Sequence, residues 1–295
     1  SLGGIIRLVP IMPDLSRTSG KGAVAITQTA HGAAGAEASA VANLPLVENN
    51  VGLRVVGYQI ASGGYIDDGL RHLQNINRTN ITGLRATLRW QPTETATIDL
   101  ALLGQDITSR DGQYAERGEP RLTRRSRIAQ PFDNDYRMAS LTARKELGRT
   151  TLVSNTSFAD HRIRSTYDAS CLVCGDAPKA FVDELNVSLF SHETRLTYHH
   201  DPRRSGLVGI SIVNNVNDVS RYLGRPEAPT TLDAFRNSIL DVSGFGNFTV
   251  PLGTKVSATA GVRASYTRQV SQLTRPALEE NFEPVRRKMR LLPMM

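Results

Sequence analysis

The chain has 295 residues, 40% of them hydrophobic, with a mean hydropathy of −0.27, a net charge of +7 and a pI of about 9.7. No stretch approaches the roughly 18 consecutive apolar residues of a membrane-spanning helix, which excludes a helical membrane protein but not a barrel whose strands are apolar on one side only. The basic balance, dominated by arginine, by itself fits nucleic acid, an anionic membrane surface or no specific partner.

The N-terminus, Ser1-Leu-Gly-Gly-Ile-Ile-Arg7, has no initiator Met, no basic n-region and no apolar h-region, so it does not read as a secretory signal. Either the protein is cytosolic or its true start lies upstream, and the rest of the chain favours the second reading. From there the dominant period is two. Thr82, Leu84, Ala86, Leu88 and Trp90 oppose Ile81, Gly83, Arg85, Thr87 and Arg89. Ile98, Leu100 and Leu102 oppose Thr97, Asp99 and Ala101, and a weaker alternation sets Val208, Ile210 and Ile212 against Leu207, Gly209 and Ser211. Near the end, Val256, Ala258, Ala260, Val262, Ala264 and Tyr266 face away from Ser257, Thr259, Gly261, Arg263, Ser265 and Thr267. Such alternation predicts strands that separate two environments, because successive strand side chains point to opposite faces.

Turn-like segments occur at Glu48-Asn-Asn50, Gln91-Pro-Thr93, Leu147-Gly-Arg149, Asp201-Pro-Arg-Arg-Ser-Gly206 and Pro251-Leu-Gly253. Between them lie longer polar links at 64–79, 107–133, 165–180 and 218–235, with the compact His31-Gly-Ala-Ala-Gly35 as the exception. Alternating short and long connections are what a transmembrane barrel needs, with short turns on the periplasmic side and long loops outside. Trp90, the only tryptophan, closes a strand before a short turn, where it fits either the periplasmic aromatic girdle or the cap of an ordinary core. The pattern predicts about eleven strands from Gly22 onward, each of ~9–15 residues, where ~9–11 cross a membrane. Bacterial single-chain barrels are even-stranded, and open edges in lipid leave backbone groups unpaired at several kcal/mol each. The expectation is therefore a chain cut at both ends.

The segment Ser1-Leu-Gly-Gly-Ile-Ile-Arg-Leu-Val-Pro10 followed by Met12-Pro-Asp-Leu15 resembles the end of the plug domain of TonB-dependent outer-membrane receptors. Ala40-Val-Ala-Asn-Leu-Pro-Leu-Val47, Leu53-Arg-Val-Val-Gly-Tyr58 with Gly63-Gly-Tyr-Ile-Asp67, and Leu88-Arg-Trp-Gln-Pro92 are similar to early barrel strands of that family. Gly246-Asn-Phe-Thr-Val-Pro-Leu-Gly253 leading into Ala260-Gly-Val-Arg263 continues the likeness, which runs in order to about Gln269. The resemblance implies an all-β fold: a transmembrane antiparallel β-barrel of roughly 22 strands, here partial at about eleven, preceded by the last strand of a plug domain. It divides the chain into the plug end and linker at 1–15, the N-terminal half of the barrel at 16–283, and an irregular tail at 284–295 where the alternation is lost. It also implies TonB-dependent uptake of a scarce small-molecule ligand, commonly an iron–siderophore complex, in a bacterial outer membrane, with lipid and lipopolysaccharide as surroundings and no nucleic acid. The TonB box, which precedes the plug in the family, does not occur in this sequence.

Cys171-Leu-Val-Cys174 falls in a long polar link. Cysteines three apart suit a redox pair or half a zinc site, but a zinc site needs four ligands and no second pair supplies them. The readings left are a local disulfide in an extracellular loop, as an oxidising compartment allows, or free thiols. His199 and His200 are successive, so on a strand their rings diverge rather than chelate. Gly244-Phe-Gly246 has no G-x-G-x-x-G continuation and suits a small-residue barrel strand. Arg85, Arg89, Glu193 and Arg195 fall on the polar strand face and are the candidate lumen-lining residues, either docking a plug and ligand or forming a solvated wall. The Arg-rich run Arg121-Leu-Thr-Arg-Arg-Ser-Arg127 suits anionic lipopolysaccharide, an acidic ligand or plain solvent. No catalytic motif, cofactor or metal site is expected, and the ligand-contact residues are not legible. The rival readings are a soluble all-β enzyme or binding domain, whose apolar strand face would pack against a second sheet, and a non-functional truncated remnant of a receptor.

Overall fold

The computed structural model describes residues 9–171, 177–201, 204–253, 255–275, 280–282 and 284–294. Their regular structure is entirely β: β1 (Ser19–Gln28), β2 (Ala34–Val47), β3 (Val51–Ser62), β4 (Asp67–Asp68), β5 (Thr79–Thr93), β6 (Ala96–Ser109), β7 (Thr123–Arg124), β8 (Phe132–Leu147), β9 (Thr150–Asp168), β10 (Ala180–Asp201), β11 (Arg204–Arg225), β12 (Ala228–Pro251), β13 (Ser257–Arg275), β14 (Glu280–Phe282) and β15 (Val285–Met294). Among the described residues no helix is long and apolar enough to cross a membrane. Thirteen strands form one antiparallel sheet in which each long strand pairs with the next in sequence; β14 and β15 both pair with β13, and the two-residue β4 and β7 pair in parallel apart from the sheet. Strands β1 to β13 supply eleven strands of ten or more residues to the sheet, about the expected number, and β15, also of ten residues, adds a twelfth.

The register sorts the side chains into two unlike faces. One cross-strand row reads Arg89, Asp99, Thr142, Asn155, Glu193, Ser211, Ser243 and Ser265, polar at every position. On the opposite face, one residue along, Leu88 pairs with Leu53 and Leu100, and Leu100 pairs with Leu141. That face leaves large apolar side chains uncovered, among them Leu84 at 57% and Phe248 at 58% exposure, while among the described residues the buried hydrophobic core positions are few: Ile66, Ile76, Ala159, Ala180 and Val182. Among the described residues no second sheet covers the apolar face, so the arrangement a soluble β-sandwich requires does not occur. An apolar exterior with a polar interior is the partition of a membrane barrel wall.

Three segments differ from expectation. The turn after β5 lies at residues 94–95, not 91–93: the strand continues through Pro92 by way of a bulge between Trp90 and Thr93, where proline is tolerated because it need not donate to the ladder. The polar stretch 218–235 is not a long link. β11 and β12 run through it as a hairpin closed at residues 226–227, with Asn217 opposite Asn237 and Asp218 opposite Arg236. Strands of 22 and 24 residues exceed the ~9–11 needed to span a bilayer, and beyond lipid both faces meet water, which removes the alternation. The stretch 284–295, expected to be irregular, carries β15 on the edge of β13; main-chain pairing, not side-chain pattern, makes that strand. The expected plug strand falls mainly on residues 1–8, outside the described residues.

At the short-turn end, residues 9–18 form a non-strand lead-in anchored on the polar face. The Asn43 side chain of β2, 1% exposed, accepts from the Asp14 main-chain N–H at 2.9 Å and donates to the carbonyls of Asp14 and Arg17 at 2.9 and 2.8 Å. Gly52 of β3 has no side chain to obstruct the lead-in; a Cβ there would lie 2.8 Å from Leu15 Cδ2 and 3.2 Å from Pro13 Cβ.

Candidate functional site

At the opposite end, the connections 63–78 and 110–131 fold onto one another. β4 and β7 join them, Asp67 opposite Thr123 and Asp68 opposite Arg124. Asp68, fully buried, accepts from Ser126 Oγ at 2.5 Å, Arg71 Nε at 2.9 Å and the main-chain N–H groups of Leu70 and Arg71. Arg71 also reaches Asp111 Oδ2 at 2.5 Å. Arg124, 0% exposed, donates Nη2–H to Asp111 Oδ1 and lies 4.9 Å from the Tyr114 ring centre. Burial alone would raise the Asp68 carboxyl, but hydrogen bonds from Ser126 and Arg71 together hold it below the usual carboxylate value. Burial, then the neighbouring Arg71 charge, pulls the Arg124 guanidinium below its ordinary value. Two carboxylates and two guanidiniums thus clamp the two connections together.

Beside this clamp lies a recess of about 200 Å³, lined by the aromatic rings of Tyr114, Phe132 and Tyr167 and by Asp111, Gln113 and Gln130. Gln130 Nε2 donates to Tyr114 Oη at 2.8 Å, and Gln113 is held by Ser109 and Asn77, each at 2.8 Å. The Tyr114 ring and the Gln113 amide are therefore held in place before any ligand arrives. Flat rings next to oriented amides and one carboxylate suit a compact polar ligand with a planar part.

Arg85, Arg89, Glu193 and Arg195 all occupy the polar face, and Arg89 and Glu193 share one cross-strand row. They are not brought together as one cluster. Arg89 makes two hydrogen bonds to Asp99, at 2.7 and 2.8 Å. Glu193 and Arg195, two apart on β10, pair at 3.3 Å in an exposed setting. Arg85 stands one step from Thr87, which lies opposite Arg54, and the buried Nε of Arg54 has no hydrogen-bond partner. Arg54 is a wall residue the sequence reading missed, and Asp99, which parity does set opposite the apolar face, is not among its candidates. In the Arg-rich run, Arg124 is sealed in the clamp instead of meeting solvent or an anion. Cys171 is disulfide-bonded, and Cys174, the chain's other cysteine, lies outside the described residues. His199 and His200 sit at the end of β10, their side chains outside the described ones, and Gly244 lies within β12 opposite Ala264. Among the described residues no group of three His, Cys, Asp or Glu is placed to hold a metal ion.

No protein-family model matches the chain, and no curated protein matches it. Solved structures do. The ferric yersiniabactin uptake receptor FyuA from Yersinia pestis superposes with a TM-score of 0.76 at 10% identity, over 96% of this chain and 44% of that one. The ferripyoverdine receptor of the outer membrane of Pseudomonas aeruginosa gives 0.66 at 10% identity, over 95% and 40%. The copper transporter OprC gives 0.62 at 13% identity, over 96% and 43%. The chain thus spans less than half the length of each of these structures. At such identities the likeness establishes architecture, and the architecture is that of part of the barrel of TonB-dependent outer-membrane receptors.

Proposed function

We propose that this chain is part of the wall and outer mouth of an outer-membrane receptor for TonB-dependent uptake of a scarce small-molecule ligand. The observation that carries the reading is the partition of a single sheet into an uncovered apolar face and a continuous polar row, with elaborated connections gathered at one end. The structural likeness to ferric-complex receptors favours an iron–siderophore complex as the cargo; the likeness to a copper transporter, at a lower TM-score, keeps other metal complexes in view. The ligand would meet the Tyr114, Phe132 and Tyr167 rings first. The lead-in at 9–18, held against Asn43 and Gly52 on the polar face, would connect a plug to the wall, and Arg54 and Arg85 would offer that plug a cationic docking surface for carboxylates. Lipid surrounds the apolar face in this reading, and no step of catalysis is involved.

The test is uptake. Cells carrying the complete reading frame that contains this chain are grown under iron limitation and supplied with radiolabelled ferric complexes of catecholate, hydroxamate and carboxylate type. Energy-dependent accumulation of one class supports the reading, and its loss on Tyr114→Ala would locate the mouth. Accumulation of none, with copper complexes also excluded, would refute uptake of metal complexes by this protein.

A further inference from the structure

Arg78 and Arg110 stand directly across from each other just past the ends of β5 and β6, where Arg110 N–H donates to the Arg78 carbonyl at 2.9 Å and extends the ladder by one step. Both are exposed. By strand parity they continue the outer, apolar face: Trp90, Leu88, Ala86 and Leu84 on β5 are followed by Thr82, Asn80 and Arg78, and Leu100, Leu102 and Gly104 on β6 by Asp106, Thr108 and Arg110. Like charges directly opposite on adjacent strands repel, and neither guanidinium has a carboxylate within 4.0 Å among the described residues. The neighbouring strands behave differently. The outward arginines of β8 and β9 are each neutralised: Arg137 by Asp106 at 2.5 Å, Arg162 by Asp160 at 3.0 Å and Arg164 by Glu184 at 3.3 Å. The unneutralised pair also borders a recess of about 410 Å³ whose lower wall is apolar, formed by Ile26, Ala36 and Ala61.

Height decides what such a recess would hold. Trp90 and Arg78 are twelve residues apart, ~40 Å along the strand and ~30 Å along the membrane normal at a tilt of ~40°. An apolar band ~25 Å tall that begins at Trp90 therefore ends just below Arg78, at the level of the outer headgroups. Two guanidiniums above an apolar wall match an amphiphile that carries an anionic group at its head. Planar guanidinium is the side chain best shaped to hold a phosphate through two hydrogen bonds.

We propose that Arg78 and Arg110 bind the phosphate group of a phosphorylated glycolipid of the outer leaflet, with its acyl part along the wall formed by Ile26, Ala36 and Ala61. This rests on the sheet being an outer-membrane barrel wall. The chain folded in detergent is mixed with bisphosphorylated lipid A, with enzymatically dephosphorylated lipid A, or with inorganic phosphate, and bound lipid is counted by native mass spectrometry. The wild type retains bisphosphorylated lipid about tenfold better than the dephosphorylated form, a ratio worth about 1.4 kcal/mol. R78Q/R110Q loses that preference, R78K/R110K keeps part of it, and R164Q leaves it unchanged. Equal retention of both lipids overturns the proposal, as does an unaltered preference in R78Q/R110Q with unchanged circular dichroism. Displacement by inorganic phosphate at comparable concentration also overturns it, because it would mark a soluble-anion site. Failure of the wild type to insert into vesicles of any composition would instead refute the barrel reading beneath it.

Discussion

Arg89 and Asp99 face each other across β5 and β6 and close two parallel hydrogen bonds, at 2.7 and 2.8 Å, on the polar side of the wall. The pair is more sheltered than the chain's other wall pairs, at 25% and 12% side-chain exposure, and paired geometry of this kind is stronger than a single charged contact. Residual solvent screening keeps the gain small. Arg89→Ala should lower unfolding stability by about 1–2 kcal/mol, chiefly by leaving the Asp99 carboxylate unpaired. The double variant R89A/D99A should be less damaged than the sum of the single ones by about 1 kcal/mol. Urea titration followed by heat-modifiable gel mobility measures all three; strict additivity would show the two side chains to be independently solvated.

The clamp between the two mouth connections should respond to single substitutions more sharply than the wall does. Asp111→Ala leaves Arg124 buried without its carboxylate, and breaking a buried pair from one side typically costs ~3–5 kcal/mol. That loss falls on the loops, so trypsin should cut after Arg121 or Arg125 many times faster while the sheet's circular dichroism stays unchanged. Asp68 adds a pH dependence with a definite sign. Its folded value is lowered, so its contribution is present above the ordinary value of 3.8 and is lost as pH falls below that through the folded value. Pepsin protection of residues 63–78 should hold at pH 4 and decline toward pH 2. Protection that instead declined between pH 6 and 5 would point to a group other than Asp68.

How much of this was legible in the sequence depends on where water lies. Residues 82–90 and 256–266 alternate cleanly because one face of the sheet carries uncovered apolar side chains and the other the polar rows. Through 218–235 both faces of the β11–β12 hairpin carry polar side chains, so the stretch reads as a loop, although Asp218 meets Arg236 across it at 3.5 Å. Alternation also fades where outward polar groups satisfy one another: His192 lies 2.8 Å from Thr156 Oγ1 and 3.1 Å from Thr194 Oγ1 on the face that carries Phe190 and Leu196. The clamp gave no local sign at all. Asp68 and Ser126 are 58 positions apart and Arg71 and Asp111 are 40 apart, and nothing in a short window distinguishes Arg124 from the solvated arginines beside it. Residues such as Arg85, Arg89, Glu193 and Arg195 could be assigned to a face by parity, but their partners depend on register between strands.

The apolar face supplies a test of depth. Leu100 lies in the row of Leu88 and Leu141, inside the apolar band, whereas Asn80 lies near its upper edge. A charged side chain facing lipid costs ~2–4 kcal/mol at the midplane and ~0–1 near the interface. Leu100→Arg should therefore reduce folding into lipid vesicles far more than Asn80→Arg, although both add one charge to an exposed position. Equal effects in vesicles would mean that this face does not meet hydrocarbon.

The lead-in at 9–18 should depend on one side chain. Asn43 supplies three hydrogen bonds to the main chain of Asp14 and Arg17, and no other wall residue contributes a side-chain bond to that main chain among the described residues. Asn43→Leu would keep the volume but leave a donor and two acceptors facing an apolar group, at about 2–3 kcal/mol. Hydrogen exchange at residues 14–17 should accelerate by roughly tenfold or more while exchange in β2 and β3 stays slow. The local turn survives by a second device, since the Asp14 carboxylate accepts from the Ser16 main chain, the Ser16 hydroxyl and Arg17, which lowers its pKa to about 2. That contribution is present above 3.8 and disappears as pH falls through about 2. At pH 5 the N43L variant should therefore keep the turn at 14–17 while releasing it from the wall, and near pH 2 the turn itself should open. If exchange at 14–17 is the same in N43L as in the wild type at pH 5, the wall does not hold the lead-in through Asn43, and the Asn49 N–H bond to the Leu15 carbonyl, with contact of Leu15 and Pro13 with Gly52, would have to hold it.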